Sequence, residues 1–193
     1  GGIPIPPTVV TEDLHLAVET VREFEVAVLK PLYSSKGRGM LLIRSGADAL
    51  EQLMQFQARG NATLYIQKLV PLPGRDLGVA FLGGRYLATY ARVRGKDEWS
   101  TTTLSGGRYQ AHEPSKEVLD VADRAQALFG LDFTCVDVAE CPEGPCVFEV
   151  SAFGGFRGLL QAHDLDAAEH YADYVLKKLD DETIKLLVEI SRK

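Results

Sequence analysis

Pro71-Leu72-Pro73-Gly74 interrupts the sequence near its middle. That interruption constrains the fold more than any other feature. Proline lacks a backbone N–H and is excluded from helix interiors and central strands, so the strand-like run Leu64 to Val70 must end there. The two flanking stretches differ in make-up. Upstream, Pro4, Pro6 and Pro7 give an extended lead-in, and Thr11-Glu12-Asp13 opens a helix carrying Leu14, Val18 and Val21. Val26 to Leu29 and Met40 to Ile43 read as a hairpin around the loop Ser34-Ser35-Lys36-Gly37-Arg38-Gly39, and Ala47 to Arg59 as a helix stopped by Gly60. Downstream, Leu77–Leu82 and Arg85–Val93 flank Gly83-Gly84, a hairpin signal. A polar Trp99–Gly107 loop and a helix from Ser115 to Gly130 follow. Strands at Asp132–Val138 and Cys146–Val150, a glycine-containing loop over 151–158, and helices over 164–179 and 182–191 complete the chain. The order predicts an α+β fold of two small units, 1–70 and 71–193.

The length of 193 residues suits one large domain or two small ones. A hydrophobic fraction of 46% and a charged fraction of 25% exclude a disordered chain. No apolar stretch approaches the ~20 residues of a membrane helix, and a net charge of −6 argues against a nucleic-acid binder. Neither a membrane nor nucleic acid is expected as a partner. Three cysteines without a secretory signal read as reduced thiols in a cytoplasmic protein. Cys141 and Cys146 flank a Pro/Gly turn at a spacing poor for zinc, and read as small side chains at strand ends. The chain opens on Gly1-Gly2 without Met, from which a further domain upstream is expected.

Three groups of residues carry candidate chemistry. The loop 34–39 combines two glycines with Lys36 and Arg38, and Lys30 precedes it; such a loop can cradle phosphate, though it matches neither GxxxxGK[ST] nor GxGxxG. A solvated turn explains it equally well. Asp137 and Glu149 each sit in an otherwise apolar strand, where a lone carboxylate is costly unless paired or bound to a cation. On adjacent antiparallel strands they could hold Mg²⁺, with Ser151 on the same face as Glu149. A solvated face, or arginine partners, is the alternative. Arg92, Arg94 and Arg157 could clamp an anion or simply face solvent. The histidines at 15, 112, 163 and 170 show no metal-ligand spacing, and no GxSxG elbow is present.

Taken in order, Val28 to Gly39, Tyr65 to Val70, Gly74-Arg75-Asp76, Val136-Asp137 and Phe148 to Gly155 resemble the ATP-grasp enzymes, most closely the RimK-like carboxylate–amine ligases. The resemblance implies an ATP-grasp fold, in which two α+β subdomains clasp a nucleotide between antiparallel sheets. Residues 1–70 would be the lid (central) subdomain and 71–193 the C-terminal one, with the family's N-terminal domain missing. It further implies that Lys30 contacts phosphate and that Ser34, Ser35, Lys36, Gly37, Arg38 and Gly39 close over it. Gln67, Lys68, Leu69 and Val70 would line the adenine pocket, with Asp76 near the ribose and Ser100, Thr101 and Thr102 at the nucleotide. Asp137, Glu149 and Ser151 would bind Mg²⁺, with Mn²⁺ as a substitute. Arg92 would stabilise the phosphate or acyl phosphate, and Arg157 would meet substrate. Two departures stand out: Ser151 replaces the usual Asn ligand, and Lys68 the usual acidic hinge residue.

The activity so implied is ATP- and Mg²⁺-dependent joining of a small-molecule or peptide carboxylate to an amine, such as an amino acid, through an acyl phosphate. A phosphotransferase on the same cradle, or a non-catalytic nucleotide-binding module, is the alternative, and a homo-oligomer is compatible with all three. The acidity is segregated: residues 161–193 hold eight Asp or Glu against five Lys or Arg, while 26–43 contain no acid.

Overall fold

Asp13 starts the first helix. Its carboxylate accepts from the N–H groups of His15 (2.7 Å) and Leu16 (3.1 Å), two of the donors that a helix start leaves unpaired. Helix α1 (Leu14–Phe24) then buries Ala17, Thr20, Val21 and Phe24, a stripe at helical spacing. The computed structural model describes residues 1–95, 101 and 107–191.

The stripe of α1 faces a four-stranded antiparallel sheet made of β1 (Thr8–Thr11), β2 (Val26–Lys30), β3 (Leu41–Arg44) and β4 (Leu64–Lys68), in the order β1-β4-β2-β3. Alternation divides the strands between two faces. Ala27, Leu29, Leu64 and Ile66 pack under α1 and helix α2 (Ala49–Ala58), together with Leu53 and Phe56. The neighbouring positions Val28, Lys30 and Gln67 turn to the opposite face and line a cleft. Strand β1 lies within the expected lead-in: Pro6 and Pro7 precede it, leaving Thr8 to Thr11 free to pair with β4.

The second sheet is antiparallel and five-stranded: β5 (Arg75–Leu82), β6 (Arg85–Val93), β7 (Arg108–Ala111), β8 (Phe133–Cys141) and β9 (Gly144–Ala152), ordered β7-β6-β5-β8-β9. One face packs Leu77, Val79, Val136 and Val138 against α3 (Lys116–Ala127), through Val118, Val121, Ala122 and Ala125. Ser115 caps α3 by accepting from the Val118 N–H at 3.3 Å. The other face carries Ala80, Tyr90, Phe133 and Cys135 with Leu159 of α4 (Phe156–His163) and Ala167 of α5 (Ala167–Ser191). Past this second core the same face bears the charged residues of the cleft.

Three expectations differ from the structure. The segment read as a loop over 151–158 holds the start of α4, because Gly155 at φ 98° makes the turn before the helix rather than ending order. The two terminal helices are one, since no Gly or Pro separates Leu179 from Glu182. Strand β7 is short and polar, without the apolar alternation that announces a strand.

Candidate functional site

A cavity of about 770 Å³ lies between the two sheets. From the first sheet, Lys30 reaches in with its ammonium 2.6 Å from Gln67 Oε1 and 5.1 Å from the centre of the Phe148 ring. Gln67 is 3% exposed and donates through Nε2 to Thr8 Oγ1 at 3.0 Å, so β1, β2 and β4 jointly fix the lysine. Burial lowers the Lys30 pKa, opposed by the charges of Glu149 and Asp137.

The loop after Lys30 turns through left-handed residues, Lys36 (φ 58°), Gly37 (φ 69°) and Gly39 (φ 76°). Ser35, Lys36 and Gly37 line the cavity. Arg38 instead folds back on the loop, with Nη2 2.9 Å from Ser35 Oγ, and Ser34 Oγ donates to the Arg38 carbonyl at 2.5 Å. Ser34, Arg38 and Gly39 thus shape the loop without lining the cavity. Lys68, Leu69 and Val70 border the cavity where the chain leaves the first sheet. Thr101 also lines it, whereas Ser100 and Thr102 lie outside the described residues.

On the second sheet the strand register assembles a charge cluster. Asp76 pairs with Arg92 across β5 and β6, and Asp137 with Glu149 across β8 and β9. The Arg92 guanidinium lies between two aspartates: Nε is 3.2 and 3.1 Å from the Asp76 oxygens, Nη2 contacts Asp76 Oδ2, and Nη2 is also 2.9 Å from Asp137 Oδ2. The Arg92 and Asp137 side chains are each 17% exposed. The Ser151 hydroxyl donates to Glu149 Oε1 at 2.8 Å, leaving its own lone pairs available.

Arg92 thus pairs with two of the three carboxylates, while Lys30 acts on Asp137 and Glu149 from across the cavity. Burial drives the Asp137 pKa up to about 6; Arg92 pulls it down, and Asp76 and Glu149 push it up. Two carboxylates side by side, Asp137 largely buried and Glu149 open to the cleft, form a site that can take a cation. Among the described residues no three His, Cys, Asp or Glu side chains converge into a ready-made ligand set. Mg²⁺ does not require one: it is held through one or two carboxylates, substrate phosphates and water. The chemistry of Asp137 and Glu149, with the Ser151 hydroxyl beside them, fits that ion.

The cavity also contains side chains the sequence reading passed over. Phe148 reaches it because the β8–β9 register slips between Asp137 and Val138, leaving Phe148 as the extra residue of a bulge. Nothing in the sequence signals that slip. Tyr90 stands two residues before Arg92, so alternation alone puts it on the same face. Its hydroxyl is 3.3 Å from Cys135 Sγ, and burial raises its pKa. Arg94 and Arg157 add positive charge to the lining, and Arg157 stands in the first turn of α4.

Residues 3–140 match the ATP-grasp domain of prokaryotic glutathione synthetase. The chain belongs to the ATP-grasp family. Glu149 and Ser151 fall just past the matched range, on the strand paired with Asp137. The tetrahydromethanopterin:alpha-L-glutamate ligase of Methanococcus maripaludis is 30% identical over 179 residues, which cover 90% of this chain and 60% of that protein. A RimK domain ATP-grasp protein from Sphaerobacter thermophilus superposes with a TM-score of 0.65 at 22% identity, over 91% of this chain and 62% of that one. The ATP-grasp ligase PsnB, solved with a minimal precursor, Mg and ADP, gives a TM-score of 0.69 at 24% identity, over 91% of this chain and 54% of that one. These two likenesses show the ATP-grasp fold, with its two α+β units around a cleft. The chain spans about 60% of the length of the tetrahydromethanopterin:alpha-L-glutamate ligases it matches. No described helix is long and apolar enough to cross a membrane.

Proposed function

We propose that the cleft binds ATP with Mg²⁺ and that the protein containing this chain joins a carboxylate to an amine through an acyl phosphate. The observation that carries the reading is the facing pair Asp137 and Glu149, in register on β8 and β9 and opposite Lys30 in one cavity. In this reading residues 1–70 form the lid subdomain and 71–193 the C-terminal subdomain. Lys30, Ser35, Lys36 and Gly37 meet phosphate oxygens, and Ser34, Arg38 and Gly39 hold the loop in shape. Gln67 fixes Lys30, and Lys68, Leu69 and Val70 offer backbone groups to the adenine edge. Asp137, Glu149 and Ser151 hold Mg²⁺, which supplies charge stabilisation to the transferring phosphoryl group when bound. Arg92, bonded to two aspartates, acts by holding Asp137; Asp76 anchors Arg92 and so acts at one remove. Thr101 borders the nucleotide, and Arg94 and Arg157 attract the carboxylate substrate.

The reaction balances without a protein nucleophile. A carboxylate oxygen of the substrate takes the γ-phosphoryl group as its bond to ADP breaks, and the neutral amine nitrogen then attacks the acyl carbon and expels phosphate, which leaves with the amine's proton. The protein contributes position and positive charge where negative charge develops. The glutamate ligases among the relatives support an amino acid as the amine.

Hydroxylamine trapping tests the reading on the intact protein, supplied with Mg²⁺-ATP and a panel of amino-acid and peptide carboxylates. A hydroxamate accompanied by ADP is expected. A stable phosphorylated product would reassign the cleft to phosphotransfer, and binding of ATP with no ADP from any carboxylate would leave a nucleotide-binding module.

A further inference from the structure

The tip of the β8–β9 hairpin, outside the cleft's charge cluster, carries two cysteines that the proposed ligation does not use. Cys141 pairs with Gly144 and Cys146 with Ala139. In an antiparallel ladder this places the two cysteines diagonally on the same face. Their sulfurs stand 2.8 Å apart, and both are free thiols, Cys146 buried and Cys141 half-buried. The connecting turn, Pro142-Glu143, is short, and Pro145 stiffens the returning strand. Little motion separates this contact from a bond, since a disulfide holds its sulfurs about 2.05 Å apart. The third cysteine, Cys135, is buried beside Tyr90 and has no thiol neighbour there.

We infer that Cys141 and Cys146 are a dithiol modification site, closing to a disulfide across the hairpin tip when a low-molecular-weight disulfide oxidises them and reopening with a thiol reductant. Access sets the order of events. Cys141 is the more exposed thiol and meets the oxidant first. Its thiolate attacks one sulfur of the small disulfide, expels one thiolate and forms a mixed disulfide. Cys146 then attacks the Cys141 sulfur and expels the second thiolate. The two protons lost by the cysteines end on the two small thiols released, so the small disulfide is reduced as the pair is oxidised. Burial pushes the Cys146 thiol up to about 12, with the Cys141 contact adding to the shift, so it resists external reagents; its attack on Cys141 rests on the 2.8 Å separation of the two sulfurs. Cys141 is only half-buried at the hairpin tip, so a small thiol reductant reaches the bond and the site is reversible rather than a fixed cross-link.

The test incubates the full chain with oxidised glutathione and reads intact mass, the thiol map and reopening by reduced glutathione. The wild-type chain is expected to lose two hydrogen atoms, with the linkage mapped to Cys141 and Cys146, Cys135 still alkylatable after unfolding, and both thiols recovered on reduction. Cys146→Ser is expected to stop with one glutathione on Cys141, and Cys141→Ser to remain unmodified at Cys146. Three free thiols in the treated wild type would overturn the inference. So would accumulation of a glutathione adduct in the wild type without the internal bond, or a bond that reduced glutathione does not open. The wild-type measurement decides the matter by itself if a variant fails to fold.

Discussion

Arg92 sits between Asp76 and Asp137 while Glu149 faces Asp137 and accepts from Ser151, and the balance of these side chains with Lys30 governs the floor of the cleft. The Asp137 pKa is raised by burial, to about 6 from an ordinary 3.8. The folded protein therefore keeps a proton that the unfolded chain has released between about pH 4 and pH 6, and stability falls as pH rises through that window. Asp137→Asn cannot titrate. In metal-free buffer the variant should gain on the wild type by about 1–3 kcal/mol between those limits, read as the difference in urea unfolding free energy. A pH-independent difference would return Asp137 to an ordinary surface carboxylate. At this scale the sequence was informative where a residue type was out of place: carboxylates in apolar strands marked Asp137 and Glu149. It could not disclose that Arg92 would be engaged by two aspartates, because that depends on the cross-strand partner of each.

At the scale of elements, the Tyr90 ring is clasped between strand β5 and helix α4. A Cβ at Gly78 would stand 2.4 Å from that ring, and one at Gly158 would stand 2.5 Å from it. Both glycines are thus required by close packing; neither is in a left-handed conformation. Gly78→Ala should cost about 1–3 kcal/mol in thermal or urea unfolding through overpacking. Adding Tyr90→Val, which removes the ring, should recover much of that loss in a double-mutant cycle. Strictly additive losses would mean that the ring is not what fills the slot. Strands and helices with an apolar period were legible in advance, including the antiparallel β2–β3 and β8–β9 pairs and helices α1 and α3, though of the α1 positions Leu14, Val18 and Val21 only Val21 is fully buried. β1, β7 and α4 were not. Their ordering comes from partners: β4 for the lead-in, β6 for the polar segment, and the β6–β7 face for a helix that starts at a glycine.

At the scale of the molecule, two segments cross between the sheets. Residues 69–74 run from β4 to β5. The first residues run the other way: Gly2 O accepts from Arg124 Nη2 at 2.7 Å and Pro4 O from the Val147 N–H at 2.8 Å, before Pro7 O accepts from the Lys68 N–H at 2.8 Å. Prolines stiffen both crossings. This paired crossing holds Lys30 opposite Asp137 and Glu149, and it was invisible in a sequence where residues 1–7 show only an extended lead-in. The order of motifs, by contrast, carried the family and hence the cleft. Charge segregation fits the same picture, with Lys30 and Lys36 of the acid-free segment 26–43 lining the cavity that also holds the carboxylates.

Titration calorimetry of ATP into this chain, with Mg²⁺ and with a chelator, shows whether Asp137 and Glu149 hold the ion when it is repeated on the paired variant Asp137→Asn, Glu149→Gln. Mg²⁺ is expected to strengthen ATP binding to the wild type at least about tenfold, or about 1.4 kcal/mol. The folded double variant should bind ATP no better with Mg²⁺ than without it. An equal Mg²⁺ enhancement in the wild type and the double variant would contradict the assignment of this cleft as a Mg²⁺-nucleotide site.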